Sequence, residues 1–162
     1  MKYRFPLLFI LLAFFIQKTS GNEIELRSKY MNTTNGLSNN SVRYLYQDSK
    51  GFIWMGTLNG LSRYDGNTFR NFYPERKEHG QFSLSESHIY NIQEDKNGFL
   101  WIGSNYLYSC YDLQNDRFID FTGNGELEQI YSNLTIASNG DVWLWHQYNG
   151  ARQIIHQPDR SM

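Results

Sequence analysis

The sequence contains a single cysteine, Cys110, and only three prolines among its 162 residues. A lone cysteine excludes an internal disulfide, so packing has to hold the fold together. Cys110 stands among aromatic residues, and we expect it to be buried and inert. The 15 basic and 16 acidic residues give a formal net charge of -1, which argues against nucleic acid as a partner bound by bulk charge.

Long apolar runs are also missing, except near the N-terminus. Lys2 and Arg4 precede an apolar run at residues 5–16. This run is shorter than the roughly 20 residues of a membrane-spanning helix, but it suits a secretory signal. We predict a signal peptide over residues 1–21, cleaved after Gly21, and export to the periplasm. An uncleaved membrane anchor is the alternative.

Residues that carry catalysis or bind metals are few and scattered. No paired carboxylates or nucleophile motif flank the histidines, which also lack metal-binding spacing. Asp48 and Asp95 begin "DSKG" and "DKNG", which lack the alternating oxygen ligands of a calcium loop and fit a hairpin turn. We therefore predict no catalytic residue, no metal and no cofactor. The histidines are His79, His88, His146 and His156.

Aromatic residues and glycines are plentiful, at 17% and 13 residues, which favours β-structure. The sequence also repeats after 47 residues, since "SKGFIWMGTLNGLSRYDG" (49–66) returns as "KNGFLWIGSNYLYSCYDL" (96–113). In a third, weaker copy, 139–143 aligns with 97–101, and Trp145 replaces the expected glycine. The repeat-motif positions are Asp48, Gly51, Trp54, Gly56, Asp95, Gly98, Trp101, Gly103, Gly140 and Trp143.

Alternating apolar residues and turn signals predict four strands in each copy. In the first copy these are 41–48, 52–57, 61–65 and 68–73. Asp48 caps the first turn, Gly51 takes positive φ there, and Gly56 marks a close approach by another backbone or ring. The second strand is apolar on both faces, so each four-stranded meander needs neighbouring sheets.

Repeats of about 40–50 residues in a β-rich sequence indicate a solenoid or the blades of a propeller. The predicted fold class is all-β: an incomplete β-propeller of about two and a half four-stranded antiparallel blades after a signal peptide. Trp54, Trp101 and Trp143 then form the core between blades, with ligand stacking as the alternative role. With exposed sheet edges, we expect this chain alone to be marginally stable and prone to association.

The predicted boundaries follow the repeat. Blade 1 covers 37–83, blade 2 covers 84–126 and a partial blade 3 covers 127–162. Residues 22–36 are predicted to supply an N-terminal strand that would close the ring against the last blade.

The stretch "NGLSNNSVRYLYQDSKGFIWMGTLNGLSRYDG" (35–66) resembles the two-component regulator propeller repeat. The resemblance rests on the "GLS" opening, Asp48 and Gly51, the strand at 53–57 and "RYD" at 63–65. It implies the periplasmic sensor region of a Bacteroidetes hybrid two-component system, which detects glycan fragments and switches on polysaccharide-utilisation genes. In a full-length relative this region would be anchored in the inner membrane.

None of the other parts of such a sensor is found in this sequence. It shows no second apolar span, kinase histidine box, ATP-binding glycine motif or receiver aspartate pocket. We therefore expect a non-catalytic N-terminal piece of a sensor, whose partners in a full-length protein are the remaining blades and a second sensor subunit. Alternatives are a piece of a secreted propeller enzyme, such as a lyase, and an exported adhesion or scaffold propeller.

Ligands of propellers usually bind at the face that carries the loops between second and third strands and the connections between blades. In this sequence those loops are rich in amides and tyrosines, which suit the hydroxyls and acidic groups of an oligosaccharide. The same residue types also serve as ordinary turn residues. The predicted ligand-binding residues are Asn59, Asn105, Tyr106, Tyr148, Asn149 and Arg76.

Overall fold

Three antiparallel sheets make up most of the described chain. The computed structural model describes residues 26–75, 82–105, 107–121, 133–148 and 150–155. The first sheet contains β1 (Val42–Gln47), β2 (Ile53–Thr57), β3 (Leu61–Tyr64) and β4 (Phe69–Phe72). The second contains β5 (Asn91–Glu94), β6 (Phe99–Gly103), β7 (Tyr108–Asp112) and β8 (Arg117–Ile119). The third contains β9 (Asn133–Ile136), β10 (Val142–His146) and β11 (Gly150–Ile154). Strands that are consecutive in the chain pair with each other, which confirms the predicted meanders.

The chain divides into two units between Tyr30 and Met31, and the three sheets belong to the second unit. The predicted signal peptide lies outside the described residues. Residues 26–36 contain a short 3-10 turn, Thr33–Asn35, and no strand. An extended segment becomes a strand only by pairing with a neighbour, so closure of a ring by residues 22–36 stays a prediction.

Asp48 organises the turn between β1 and β2. Its carboxylate accepts hydrogen bonds from the backbone N–H groups of Lys50, at 3.0 Å, and Phe52, at 2.9 Å. Gly51 has a φ of 90° and donates to the carbonyl of Asp48 at 2.9 Å. Asp95 caps the turn between β5 and β6 in the same way. The predicted turn chemistry is therefore confirmed in both copies.

The same two carboxylates also bind tryptophans. The Nε1 of Trp54 donates to the Oδ2 of Asp48 at 2.7 Å, and the Nε1 of Trp101 donates to the Oδ2 of Asp95 at 2.9 Å. Both tryptophans are at most 1% exposed. A buried indole N–H needs an acceptor, which explains why the aspartate and the tryptophan recur six residues apart.

A serine pair links the start of each of the first two sheets to its third strand. The backbone N–H of Ser38 donates to the Oγ of Ser62 at 3.0 Å, and the two hydroxyls are 2.9 Å apart. Ser85 and Ser109 repeat both contacts, at 2.8 and 2.9 Å. These serines are thus paired within each of the first two sheets.

The sheets pack face to face through two apolar seams. We call the side of a sheet that is directed toward the next sheet in the chain its forward face, and the opposite side its rear face. Trp54, on the forward face of the first sheet, meets Tyr111 on the rear face of the second, with ring centroids 5.2 Å apart. The buried residues of the first seam are Trp54, Leu61, Leu84, Ile89, Ile92, Leu100, Ile102, Tyr111 and Leu113. Those of the second seam are Phe99, Trp101, Tyr108, Cys110, Leu134, Val142, Leu144 and Ile154.

Gly56 lets the second sheet approach the first. A Cβ at this position would lie 2.7 Å from the Cγ2 of Ile89, closer than carbon atoms normally approach. The absence of a side chain at Gly56 therefore sets the spacing of the first seam, as the sequence predicts.

The third sheet exchanges a large and a small residue between neighbouring strands. In the second sheet Gly103 pairs with Tyr108, whose ring would lie 2.7 Å from a Cβ on the glycine. The corresponding pair in the third sheet is Trp145 and Ala151. The aromatic ring has thus moved to the adjacent strand.

The forward face of the third sheet is uncovered within the described residues. Val142 and Leu144 point into the second seam, so the alternating Trp143 and Trp145 lie on the opposite side, 38% and 41% exposed. That Trp143 lies in a core between blades stays a prediction, because the described residues include no further sheet that could pack on this face. Ala137 also stands where the first two copies have their capping aspartate.

A polar cluster crosses the first seam at its rim. Asp116, in the turn before β8, accepts hydrogen bonds from Arg63 and Arg70 of the first sheet and from the hydroxyl of Tyr111 at 2.7 Å. Partial burial works against ionisation of Asp116, but these three donors outweigh it and hold the pKa of its carboxyl well below the usual range. Asp116 thus ties the two sheets together as an anion.

Candidate ligand-binding site

The predicted ligand-binding residues lie mostly on the turns between the second and third strands of the sheets. Because each sheet is a meander, these turns lie at corresponding ends of the three sheets. The structure describes Asn59, Asn105 and Tyr148, and all three are exposed. Arg76, Tyr106 and Asn149 lie outside the described residues.

Thr57 holds the first of these turns. Its hydroxyl donates to the carbonyl of Gly60 at 2.8 Å and accepts from the backbone N–H of Asn59 at 3.0 Å. Gly60 donates to the carbonyl of Ser87 at 2.8 Å, and Ile89 donates to that of Thr57 at 3.0 Å. The turn is therefore tied to the segment that leads into β5, while the side chain of Asn59 faces solvent.

Ser104 has the same role in the second turn. Its hydroxyl and its backbone N–H both donate to the carbonyl of Leu107, at 2.8 and 2.9 Å. This function of Thr57 and Ser104 was not predicted from the sequence, although the 47-residue register aligns the two hydroxyl-bearing residues. Asn105 follows Ser104 directly and is exposed.

In the third turn, His146 stands at the position that Thr57 and Ser104 have in the first two. Its Nδ1 accepts a hydrogen bond from the backbone N–H of Tyr148 at 3.2 Å, and the two rings are tilted with centroids 5.7 Å apart. The side chain of Tyr148 is 82% exposed. The third turn therefore presents an aromatic ring where the first presents an amide.

These turns can recognise a polar ligand. Amides donate and accept hydrogen bonds, and a phenol adds a ring face for stacking. The described contacts include no hydrogen bond that joins Asn59, Asn105 and Tyr148 to one another. The structure places the three side chains at corresponding ends of the sheets, without assembling them into one enclosed pocket.

A groove at the opposite end of the first two sheets is a poor candidate for a ligand site. It measures about 560 Å³ and is lined by the turns that follow β1 and β5. Of its two carboxylates, Asp95 caps a turn, and Glu94 accepts hydrogen bonds from the backbone N–H and the hydroxyl of Ser49 at 2.7 and 2.5 Å. Its amine, Lys96, donates to Asp141 at 3.0 Å. The charges of Glu94 and Lys96 are thus used in contacts between sheets.

The described residues form no metal-binding centre. Among them, no three His, Cys, Asp or Glu side chains are grouped so that they could hold a metal ion. Cys110 is 1% exposed, and burial raises the pKa of its thiol well above the usual value, with smaller effects from Asp95 and Asp112. Its thiol therefore stays protonated, as an inert core residue requires. The described part of the chain also contains no helix with the length and hydropathy of a bilayer span.

Comparison with known proteins relates the repeat to a family. The two component regulator propeller family matches residues 36–59 and 83–106, which contain the first two strands of the first and second sheets. A comparison with curated proteins gives no match.

Solved structures show the same fold. The chain is similar to the extracellular domain assigned to the hybrid two component system BT3049 of B. thetaiotaomicron, with a TM-score of 0.65 and 23% identity, over 77% of this chain and 18% of that chain. It is also similar to two structures of the extracellular domain of BT4673 from the same organism. One is assigned to a hybrid and the other to a one component system, with TM-scores of 0.53 and 0.54 and identities of 22% and 20%. Each match covers 82% of this chain and 19% of the other chain. The chain thus spans less than a fifth of these structures, and its three stacked meanders are an incomplete β-propeller, as predicted.

Proposed function

We propose that this chain, which carries two copies of the two component regulator propeller repeat, is part of the extracytoplasmic sensor of a two-component signalling protein. The repeat match supports this proposal, as does the structural similarity to extracellular domains of such systems. In this role the propeller is not catalytic. It binds a ligand or a second sensor subunit, and a kinase in a longer protein responds.

The proposed ligand is a glycan fragment, bound at the end of the sheets that carries Asn59, Asn105 and Tyr148. The observation that favours this end is the fixed backbone of its turns, since Thr57 and Ser104 hold exposed amides in place. A rigid turn lowers the entropy lost when a side chain on it binds a ligand. Arg76, Tyr106 and Asn149 belong to the same proposed site through their positions in the sequence.

Calorimetry of the purified chain with a panel of neutral and acidic oligosaccharides tests the ligand. Asn59→Ala and Tyr148→Ala should each weaken binding about tenfold, since one lost contact of about 1.4 kcal/mol corresponds to that factor. Asn67→Ala is the matched control, because Asn67 is an exposed amide in a turn at the opposite end of the first sheet. Absence of binding across the panel, or equal losses in all three variants, would contradict the site.

The signalling role needs a separate test in the cells that make the protein. Tyr148→Ala should reduce the transcriptional response to an oligosaccharide that the chain binds, while the amount of exported protein stays the same. If Tyr148→Ala abolishes binding of the oligosaccharide but leaves the transcriptional response unchanged, the glycan site does not control signalling.

A further inference from the structure

Tyr73 lies against the first turn of the candidate site. It directly follows β4, while Gly60 directly precedes β3, and these two strands pair with each other. A Cβ on Gly60 would lie 2.9 Å from the Cδ1 and 3.0 Å from the Cε1 of Tyr73, so one edge of the ring rests on the glycine. Tyr73 is nevertheless 42% exposed. We infer that Tyr73 is a stacking platform for the glycan, and that the sugar unit bound there is a pyranose.

This inference rests on the proposed function, because it adds a residue to the same site and names the class of sugar that the site takes. Asn59 and Tyr73 are neighbours of the same glycine, one along the chain and the other across the pair of strands. Among the described residues, neither the side chain of Asn59 nor the hydroxyl of Tyr73 has a hydrogen-bond partner. An amide and an aromatic ring are therefore both available to one ligand at this turn.

The backbone beneath this pair is held by its own sheet and by the segment that leads into β5. The carbonyl of Gly60 accepts hydrogen bonds from the N–H and the hydroxyl of Thr57, at 3.1 and 2.8 Å. The N–H of Gly60 donates to the carbonyl of Ser87 at 2.8 Å. Phe72, the residue before Tyr73, pairs with Leu61 in the ladder of β3 and β4. Side chains on such a fixed backbone lose less entropy when they bind a ligand.

Neither residue of the contact between Gly60 and Tyr73 recurs in the second copy. Leu107 stands at the position of Gly60. In "FIDFT" (118–122), which corresponds to "FRNFY" (69–73), a threonine stands at the position of Tyr73. The capping aspartates, the buried tryptophans and the serine pairs, by contrast, recur together with their contacts. The meander therefore folds without a glycine and a tyrosine at these two positions, which favours a role in binding over a role in folding.

An aromatic ring beside an amide suits one pyranose unit. A pyranose with mostly equatorial hydroxyls carries its polar groups around the edge of the ring and C–H groups on its faces. The C–H face packs on an aromatic side chain, while the amide donates to and accepts from the hydroxyls at the edge. A furanose ring is smaller and puckered and lacks such a flat C–H face. The pair of Asn59 and Tyr73 therefore favours glucose-like and galactose-like units over furanoses.

Calorimetry of the purified chain with cellotetraose, a β-galactan tetrasaccharide and a fructan tetrasaccharide tests both parts of the inference. At least one of the two pyranose probes should bind, and more tightly than the fructan. Tyr73→Leu should weaken this binding about tenfold, since it removes the ring and keeps an apolar side chain over Gly60. Tyr73→Phe is the matched control and should bind as the wild type does, because it keeps the ring.

The NMR spectrum of the bound sugar gives a readout that a merely structural role of Tyr73 would not change. A stacked aromatic ring shifts the proton resonances of the sugar face beneath it upfield. This shift should appear with the wild type and with Tyr73→Phe, and it should be absent with Tyr73→Leu. Circular dichroism checks that both variants keep the wild-type fold.

The outcomes separate this inference from the proposed function. If Asn59→Ala weakens binding of a probe and Tyr73→Leu does not, the glycan site stands and the role of Tyr73 is wrong. Absence of an upfield shift in the wild-type complex overturns the stacking without any variant. Tighter binding of the fructan than of both pyranose probes contradicts the class of sugar. If no probe binds, both the proposed ligand and this inference are overturned.

Discussion

At the scale of single residues, the carboxylates of Asp48 and Asp95 each bind both a turn and a tryptophan side chain. One carboxylate oxygen caps a turn, and the other accepts the N–H of a tryptophan that is buried between sheets. The position of the tryptophan in the seam therefore depends on the turn that precedes its strand. Removing the carboxylate disturbs the turn and leaves a buried donor unpaired.

We predict that Asp48→Ala lowers the free energy of unfolding by about 1–3 kcal/mol, the usual cost of an unsatisfied buried polar group. Urea denaturation measures this change. Asp65→Ala is the control, because Asp65 caps the exposed turn between β3 and β4, where hydrogen bonds from Thr68 and Asn67 lower its pKa to about 2. Its loss should be smaller, and equal losses would show that the bond to Trp54 adds nothing.

The register of the repeat predicts these residues but not the bond between them. Asp48 and Trp54 recur at fixed spacing, so their structural importance follows from the sequence alone. The contact depends on the tryptophan side chain turning back toward the preceding turn, which no pattern of residue types encodes. The environment of Trp143 was unpredictable for a related reason, because burial also depends on a sheet outside its own copy.

At the scale of strands and sheets, the seams depend on contacts far apart in the sequence. Gly56 and Ile89 belong to different sheets and meet through the absence of a side chain. The sequence marks the glycine as a point of close approach, and the structure identifies what approaches. Registers within each sheet are local and follow from alternation, whereas contacts such as that of Asp116 with Arg63 arise only when two sheets pack.

Gly56→Ala should destabilise the fold by about 1–3 kcal/mol, as overpacked cores usually do. Thermal and urea unfolding of this variant, of Ile89→Ala and of the double variant give a double-mutant cycle. The double variant should lose less stability than the sum of the two single variants, since removal of the Cγ2 of Ile89 makes room for the new methyl group. Strict additivity would show that the two residues do not limit the seam spacing.

Asp116→Asn should weaken the contact between the first two sheets near neutral pH. The pKa of Asp116 is lowered in the folded chain, so its stabilising effect is complete above the unfolded value of about 4 and is lost as the pH falls through the lower folded value. Unfolding free energies measured from pH 7 downward should therefore fall less steeply for Asp116→Asn than for the wild type. Parallel curves would show that the carboxylate contributes nothing to the acid sensitivity.

For the candidate site, the sequence predicts which residues lie on turns, but not whether the turns of separate sheets form one site. Asn59 and Asn105 lie on turns, as their sequence context indicates, and the hydroxyls of Thr57 and Ser104 hold these turns through bonds that the sequence analysis did not identify. Whether the turns of separate sheets serve one ligand depends on how the sheets pack, which local sequence does not specify.

At the scale of the whole molecule, the three described sheets form a stack in which each sheet contacts its neighbours in the chain. Stability in such arrays is approximately the sum of the stabilities of the units and of their shared interfaces. The proposed location of this stack outside the cytoplasm depends on the first 21 residues.

Export of the chain predicts a mature N-terminus at Asn22, which N-terminal sequencing of protein from the periplasmic fraction would show. Replacing Leu11 and Leu12 by Arg should keep the chain in the cytoplasm with its leader intact, because charges interrupt the apolar run that export requires. Substitution of Leu107 by Glu, outside the leader, should leave export unchanged. Recovery of uncleaved protein in the membrane fraction would favour the alternative of an anchor.

The serine pairs and the aspartate–tryptophan bonds have a consequence for how such a gene can grow. Ser38 with Ser62, and Asp48 with Trp54, satisfy one another inside a single copy, and the second copy repeats both arrangements with its own residues. A tandem duplication of one 47-residue unit would therefore bring its own partners for these buried polar groups. The apolar seams, and polar contacts at their rims such as that of Asp116 with Arg63, are what a new copy has to share with its neighbours.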